Sequence, residues 1–395
     1  MKIAIFHECY LPVMNGVTIS VNTLTKELRK LGDTVWIFAP AYRGYKDEDP
    51  NVVRFPSFRA PFQSADYPLG IPFSSRAAQV LDSGGFDLIH VNAPFTMSRY
   101  GARTARRLGV PLVLTYHTLL EEYAHYSHLP GGLGRWLMRK ISRDFCNRAD
   151  CVVAPTNSIR NILFSYGVKA RIEVIPTGID DDKRPSADHS WVRVKYGIPN
   201  EARLLIFVGR LAKEKNMDLL LRAFKLVVDR YSQAWLMLVG GGPLTDYTRS
   251  LAEELGVGGS TVITGFVPKE QIMDYFAASD IYVHAATTDT QALTLVEAMF
   301  CGVPAVVVDA FGPAEIVRGS GGGLVAKVEQ ADFADNILRL VEDDPLRRHL
   351  GEKAKSASVQ FTAPACAARM RALYAELTSE WKAPKGADRV AGVTR

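Results

Sequence analysis

The stretch HAATTDTQALTLVEAMFCGVPAVVV, residues 284–308, decides the fold. An apolar run, 281–284, closes at its first residue, so a strand ends there. Residues 287–291 are short-chained and polar, a loop with helix-capping capacity. Leu293, Leu295, Val296 and Met299 then recur at helical spacing. Gly302 stops that helix and Pro304 stands just past it. Residues 303–308 are a β-branched run suited to a strand buried in a parallel sheet. Strand, loop, helix, turn and strand make one unit of an α/β fold. Asp289 precedes the helix and Glu297 lies inside it, eight positions on, roughly 12 Å if wholly helical. Carboxylates at that separation reach opposite ends of one extended ligand. The backbone N–H groups of Gln291, Ala292 and Leu293 point at an anion between them. Alone, the pair also fits an amphipathic helix with one capping acid and one surface acid.

Outward from that stretch the alternation repeats. Strands are predicted at 2–6, 34–39, 52–56, 87–91, 110–116, 151–154 and 172–175, with helical segments such as 19–31 between most of them. A second series has strands at 203–208, 235–239, 261–263, 281–284 and 303–308, and helix from 332 to 381. Residues 176–200, rich in Pro, Gly and charge, read as a hinge. With 395 residues the chain exceeds the roughly 250–300 at which single cores stop growing, so two α/β domains are expected. In such sheets ligands bind beyond the carboxyl ends of the strands. Polar residues gather there in the first half: His7, Glu8, His90 and 115–118.

Composition excludes several classes. The five cysteines are scattered, with no CxxC spacing, which argues against disulfide scaffold and zinc site and for a reducing, cytoplasmic compartment. MKIAIFHE reads as a strand rather than a signal peptide, and no apolar run reaches the ~18 residues of a membrane span. The net charge of +5 lies wholly in residues 1–190, with 23 basic against 18 acidic residues. Residues 191–395 are balanced. Such an excess suits a phosphate-rich or anionic partner surface; nucleic acid is not expected.

Chemistry concentrates in a few places. FVGRLAKEKN, 207–216, ends a buried strand at Gly209 and then offers Arg210 and Lys215 before a helix. A guanidinium fork and an ammonium above a helix N-terminus suit a diphosphate, although a basic surface loop reads the same way. Gly241, in the GGGP run, lets backbone approach a ligand. TYHT, 115–118, places His117 at a strand end, where a lone histidine is more often structural, although its place at the switch region favours function. Residues 133–145, LGRWLMRKISRDF, set Arg135, Arg139, Lys140 and Arg143 beside Trp136, Leu137, Met138 and Ile141. That pattern fits an anionic membrane interface, or a helix whose apolar side packs in the core. Asp180 and Asp182 satisfy D-x-D but sit in the hinge, so no metal is expected.

These motifs together resemble the retaining family 4 glycosyltransferases. The acid-x(7)-acid signature falls on Asp289 and Glu297, with Asp where that family usually has Glu. The resemblance implies a GT-B fold: two Rossmann-like domains facing a central cleft, with a C-terminal helix crossing back to the N-terminal domain. The implied division is 1–185 acceptor domain, 186–365 nucleotide-sugar domain, 366–382 returning helix and 383–395 tail. Implied roles are diphosphate binding for Gly209, Arg210 and Lys215, with Gly16 of the NGV loop facing the donor phosphate. Gly241 and the backbone of Phe266 and Val267 (TGFVP) line the nucleotide. His117 and Asp289 contact the donor sugar, the segment Thr290, Gln291, Ala292 and Leu293 binds the nucleotide sugar, and Glu297 binds the ribose. The run YHTLLEEYAHY, with Glu122, Tyr123, His125 and Tyr126, is similar to the branch that glycosylates lipids such as diacylglycerol. This implies UDP-glucose as first donor and GDP-mannose as second, no cofactor or required metal, and peripheral location on the inner face of the membrane. A soluble transferase acting on a sugar or small metabolite, and a nucleotide-sugar-binding protein without transfer activity, stay as alternatives.

Overall fold

The computed structural model describes residues 1–58, 68–122, 131–180 and 184–381. The chain divides into two units, 1–178 with 363–395, and 179–362. The last helix therefore belongs to the first unit.

The first unit runs β1 (Lys2–Phe6), α1 (Gly16–Lys30), β2 (Thr34–Pro40), β3 (Val52–Phe55), the short pair β4 (Ser57–Phe58) and β5 (Leu69–Gly70), α2 (Ser75–Ser83), β6 (Leu88–Val91), α3 (Thr96–Leu108), β7 (Leu112–Thr115), α4 (Gly131–Cys146), β8 (Cys151–Ala154), α5 (Asn157–Ser165) and β9 (Arg171–Val174). Among the described residues its main sheet has seven parallel strands in the order β3-β2-β1-β6-β7-β8-β9. The order reverses between β1 and β6. Strands such as LIHV and CVVA are buried along their whole length, as a sheet covered on both faces requires. Helix α1 starts three residues before its predicted position because the Asn15 side chain accepts from Thr18 N at 2.8 Å.

The second unit runs α6 (Trp191–Tyr196), β10 (Arg203–Val208), α7 (Met217–Arg230), β11 (Ala234–Val239), α8 (Thr245–Glu254), β12 (Thr261–Gly265), α9 (Ile272–Ala277), β13 (Ile281–His284), α10 (Leu293–Phe300), β14 (Ala305–Val308), α11 (Phe311–Ser320), β15 (Gly323–Ala326), α12 (Gln330–Glu342) and α13 (Asp344–Ser358). Its described sheet has the order β12-β11-β10-β13-β14-β15, reversing between β10 and β13. Helix α7 shows why these helices dock: Met217, Leu220, Leu221, Phe224 and Val227 recur on one face and all are buried. Each large apolar side chain so buried contributes about 1.5–3 kcal/mol. Strand β15 was not foreseen. A Cβ on Gly323 would stand 2.1 Å from the Ala305 carbonyl oxygen, so only glycine lets β15 lie against β14.

The final helix, α14 (Ala363–Glu380), packs Met370, Leu373, Tyr374 and Leu377 into the core that holds Val21 and Leu28 of α1. Arg371 donates to Asp33 at 2.9 Å and Trp381 Nε1 to the Gly109 carbonyl at 2.7 Å. Of the stretch read as a hinge, residues from Ile179 on belong to the second unit. Val192 of α6 is buried in that unit's core, and Ile179 N donates to the Phe361 carbonyl at 2.9 Å. The two chain crossings thus start side by side on the second unit.

Candidate functional site

In the second unit, chemistry collects where the strand order reverses, beyond the carboxyl ends of β10 and β13, the position at which doubly wound sheets open a crevice. Lys215, in the turn after β10, donates to both oxygens of Asp289, at 2.6 and 2.7 Å. Both side chains are mostly covered, at 18% and 14% exposure. Burial alone pushes the Asp289 carboxyl up; Lys215 and His284 outweigh it and hold the group well below the usual carboxylate range. His284, the last residue of β13, places Nε2 at 2.9 Å from Asp289 Oδ2, off the direction of a hydrogen bond, so the contact is electrostatic. Nothing in the sequence marked His284 beyond its place at the end of an apolar run.

The surrounding loops are built for close approach. Gly240, after β11, adopts φ +129°, and a Cβ there would stand 2.2 Å from the Gly209 carbonyl oxygen. Leu211 N donates to the Gly241 carbonyl, and the Phe266 ring, 85% exposed, lies over Gly241. Gly312, at the start of α11, abuts Thr290: an added Cβ would be 2.0 Å from the Thr290 carbonyl oxygen. Thr290, Gln291 and Ala292 then lead into α10, with Ala292 at φ 60° and Gln291 buried. Leu293 opens α10, Glu297 is half-buried in its second turn, and Val267 packs against the core below. Close packing at Gly240 and Gly312 was not legible in the sequence. Arg210 is exposed and has no ion pair among the described residues, unlike Lys215.

The first unit also gathers its polar residues at strand ends near its reversal, here around histidines. Asn92, just past β6, donates from Nδ2 to the Phe6 carbonyl at 3.1 Å. Its Oδ1 therefore faces His117 Nε2, at 3.0 Å, and makes that nitrogen the protonated one. His90 Nε2 meets Thr115 Oγ1 at 2.7 Å, and its Nδ1 meets the Tyr374 hydroxyl of α14. A cavity of about 30 Å³, lined in part by His90, Asn92, Thr115 and His117, has room for a water molecule or two. Glu8 accepts from Thr96 Oγ1, Met97 N and Ser98 N, so it caps α3. Gly16 is the first residue of α1, and an added Cβ would meet nothing within 4 Å. The packing of the described residues therefore does not demand glycine there. Glu122 is half-buried, whereas Tyr123, His125 and Tyr126 lie outside the described residues.

Burial lowers His7 to about 3, with His117 adding to it, lowers His90 likewise to about 3, and lowers His117 to about 4. All three stay neutral in the folded chain while the unfolded chain takes up protons below about 6.5. Stability is therefore full above that pH and falls as pH drops toward 4, by about 1.4 kcal/mol per pH unit for each imidazole. Thermal midpoints are expected to fall between pH 7 and 5, before most carboxylates titrate. A His90→Gln variant is expected to show a shallower fall, and equal slopes would contradict this reading.

Helix α4 carries exposed Leu133 and Trp136, at 53% and 56%, and Lys140 Nζ lies 5.3 Å over the Trp136 ring. Of the four basic residues expected to face an anionic surface, Arg139 pairs with Glu121 and Arg143 with Asp144. Arg135 and Lys140 are exposed without ion pairs among the described residues. No described helix is long and apolar enough to cross a membrane. The five cysteines are free. Among the described residues no three His, Cys, Asp or Glu converge as a metal would need, and Asp182 lies outside them.

Residues 14–183 match the family model described as Glycosyltransferase Family 4, and residues 191–357 match that described as Glycosyl transferases group 1. The chain is 31% identical over 312 residues to the alpha-monoglucosyldiacylglycerol synthase of Streptococcus pneumoniae, covering 78% of this chain and 70% of that protein. It is 31% identical over 374 residues to a GDP-mannose-dependent alpha-mannosyltransferase of Mycolicibacterium smegmatis, covering 92% and 94%. Among solved structures, Anabaena HepE in complex with UDP superposes with a TM-score of 0.76 at 23% identity, covering 95% of this chain and all of that one. The likeness extends over both parallel sheets, which are those of the GT-B fold.

Proposed function

This chain belongs to glycosyltransferase family 4, and on that premise we propose that it moves glucose from UDP-glucose to the free hydroxyl of diacylglycerol, with retention of configuration at the sugar. The observation that carries the reading is the covered Lys215–Asp289 pair at the strand-order reversal of the second unit. A diphosphate needs a positive partner shielded from water, and the mostly covered ammonium of Lys215 supports that reading. In this reading Lys215 and Arg210 stabilise charge as the diphosphate leaves. Within the second unit, Asp289 and the backbone from Thr290 to Leu293 hold the nucleotide sugar and Glu297 holds the ribose. Gly209, Gly241 and the backbone of Phe266 and Val267 let the nucleotide lie close. The acceptor hydroxyl attacks from the face the diphosphate leaves, and its proton passes to the departing phosphate oxygen. The reading uses no cofactor: Lys215 and Arg210 supply the positive charge that the leaving diphosphate needs.

Glucose and diacylglycerol as substrates are supported by the description of the Streptococcus pneumoniae relative. The second reading, a GDP-mannose-dependent mannosyltransferase, is supported by the equally identical Mycolicibacterium smegmatis relative. A thermal-shift screen separates them: UDP-glucose is expected to raise the unfolding temperature with EDTA present. A rise with GDP-mannose alone would favour mannosyl transfer, and a rise abolished by EDTA would overturn the metal-free reading.

A lipid acceptor requires the protein at a membrane surface, where we place the α4 face bearing Leu133, Trp136, Arg135 and Lys140. Each basic residue near an anionic surface contributes about 1 kcal/mol, so attachment is reversible and weakens with salt. The protein is expected to float with vesicles containing anionic lipid at low salt, and Trp136→Ala with Lys140→Ala to stay in the pellet fraction. Flotation of wild type and variant alike would remove α4 from the attachment surface.

A further inference from the structure

We propose that His284 is a positioning residue for Asp289, and that the Lys215–Asp289 pair is a resting contact opened by the donor diphosphate, which draws Lys215 away while His284 takes over the carboxylate. The proposal rests on the diphosphate reading of this site.

In the empty site the Lys215 ammonium spends its donors on both Asp289 oxygens. A phosphate must compete for that same ammonium. If Lys215 simply left, Asp289 would be a mostly covered carboxylate without a counter-charge, a costly state. One group is placed to prevent this. His284 Nε2 stands 2.9 Å from Asp289 Oδ2 with its N–H unaligned. A small side-chain rotation of Asp289 away from Lys215 would align it.

The imidazole itself has little freedom. Its Nδ1 is 3.0 Å from the Tyr282 hydroxyl, which is 2.9 Å from Thr294 Oγ1. Its ring lies nearly parallel to that of Tyr282 (5.8 Å, 17°) and to that of Phe207 (6.2 Å, 25°). Burial drives the Tyr282 phenol far above its usual range, so it keeps its proton. In the proposed arrangement that proton goes to Nδ1, with Thr294 Oγ1 donating in turn to the phenol oxygen; either atom of each pair can donate. The ring proton then sits on Nε2, facing the carboxylate. Thr294, in the first turn of α10, ties this chain to the helix under the proposed sugar site. The neighbouring strands β10, β11 and β14 end in valine; only β13 places a polar, fully buried ring at that level. A buried imidazole among such neighbours is costly unless its N–H is used.

The test is calorimetric titration of the full-length protein with UDP and with GDP. His284→Phe is expected to weaken UDP binding about tenfold, because Asp289 then retains Lys215. Asp289→Asn, which releases Lys215, is expected to bind UDP at least as tightly as wild type. The double variant is expected to bind like Asp289→Asn, and His284→Gln, which keeps an N–H near the place of Nε2, to stay close to wild type. UDP binding by His284→Phe at wild-type strength, or a double variant weakened by the full His284→Phe factor, overturns the proposal. A readout that needs no folded variant is the ¹⁵N-resolved Nε2–H signal of His284 in wild type. It is expected to move downfield on saturation with UDP, and an unmoved signal overturns the proposal. Wild type that binds neither UDP nor GDP would overturn the diphosphate reading itself. Normal wild-type binding with an indifferent His284→Phe would remove only the role of His284.

Discussion

Lys215→Ala is expected to lower kcat/KM for the nucleotide sugar by about 10³-fold, the scale seen when one fixed donor is removed from a developing charge. The leaving diphosphate loses its mostly covered counter-charge. Coverage separates this position from Arg210, whose guanidinium is exposed and makes no ion pair among the described residues. Arg210→Ala is therefore expected to cost less. Lys215→Arg keeps the charge but replaces a compact ammonium with a planar fork, and should recover only part of the loss. Steady-state kinetics on folded variants check this order. Equal activity of Lys215→Ala and wild type would remove the phosphate site from this position.

Gly240→Ala is expected to be the most damaging single methyl group in the second unit. Two penalties coincide there. The backbone sits at φ +129°, which L-residues rarely adopt, and the added Cβ would lie 2.2 Å from the Gly209 carbonyl oxygen. Neither is relieved without moving the turn after β10 or that after β11, so a loss of about 3 kcal/mol or more is expected, with activity falling alongside. Gly259, where a Cβ would meet nothing within 4 Å, is the control: Gly259→Ala should leave the unfolding temperature nearly unchanged. Similar midpoints for the two variants would show that the glycine turn yields more easily than its geometry allows.

Much of this was legible because periodicity and punctuation are local. The 284–308 stretch announced strand, loop, helix and strand, and the spacing of Asp289 and Glu297 placed both acids on one loop–helix segment. Lys215 was legible as a cation after a buried strand ending in glycine. Its contact with Asp289, across 74 positions, was not, because it depends on β10 and β13 being neighbours in a sheet whose order differs from the chain order. His284 was hidden by its place in an apolar run: the ring looks like strand until its stacking partners and Tyr282 are seen. Asn92 and Tyr374 stayed invisible for the same reason, the second reaching His90 from 284 positions away. Glycines were uninformative. No strand was predicted at Gly323, and Gly240 and Gly312 carried no sign that a neighbouring carbonyl presses against them. On α4 the sequence showed four basic residues but not that Glu121 and Asp144 already engage two of them.

The most direct measurement is the product formed when purified full-length protein meets UDP-[¹⁴C]glucose and diacylglycerol in vesicles containing anionic lipid. Label is expected to enter a lipid-extractable product whose anomeric proton has the small coupling of an α-glucoside. A β-linked product, or label recovered only as free glucose or unchanged donor, would contradict retaining transfer to a lipid hydroxyl.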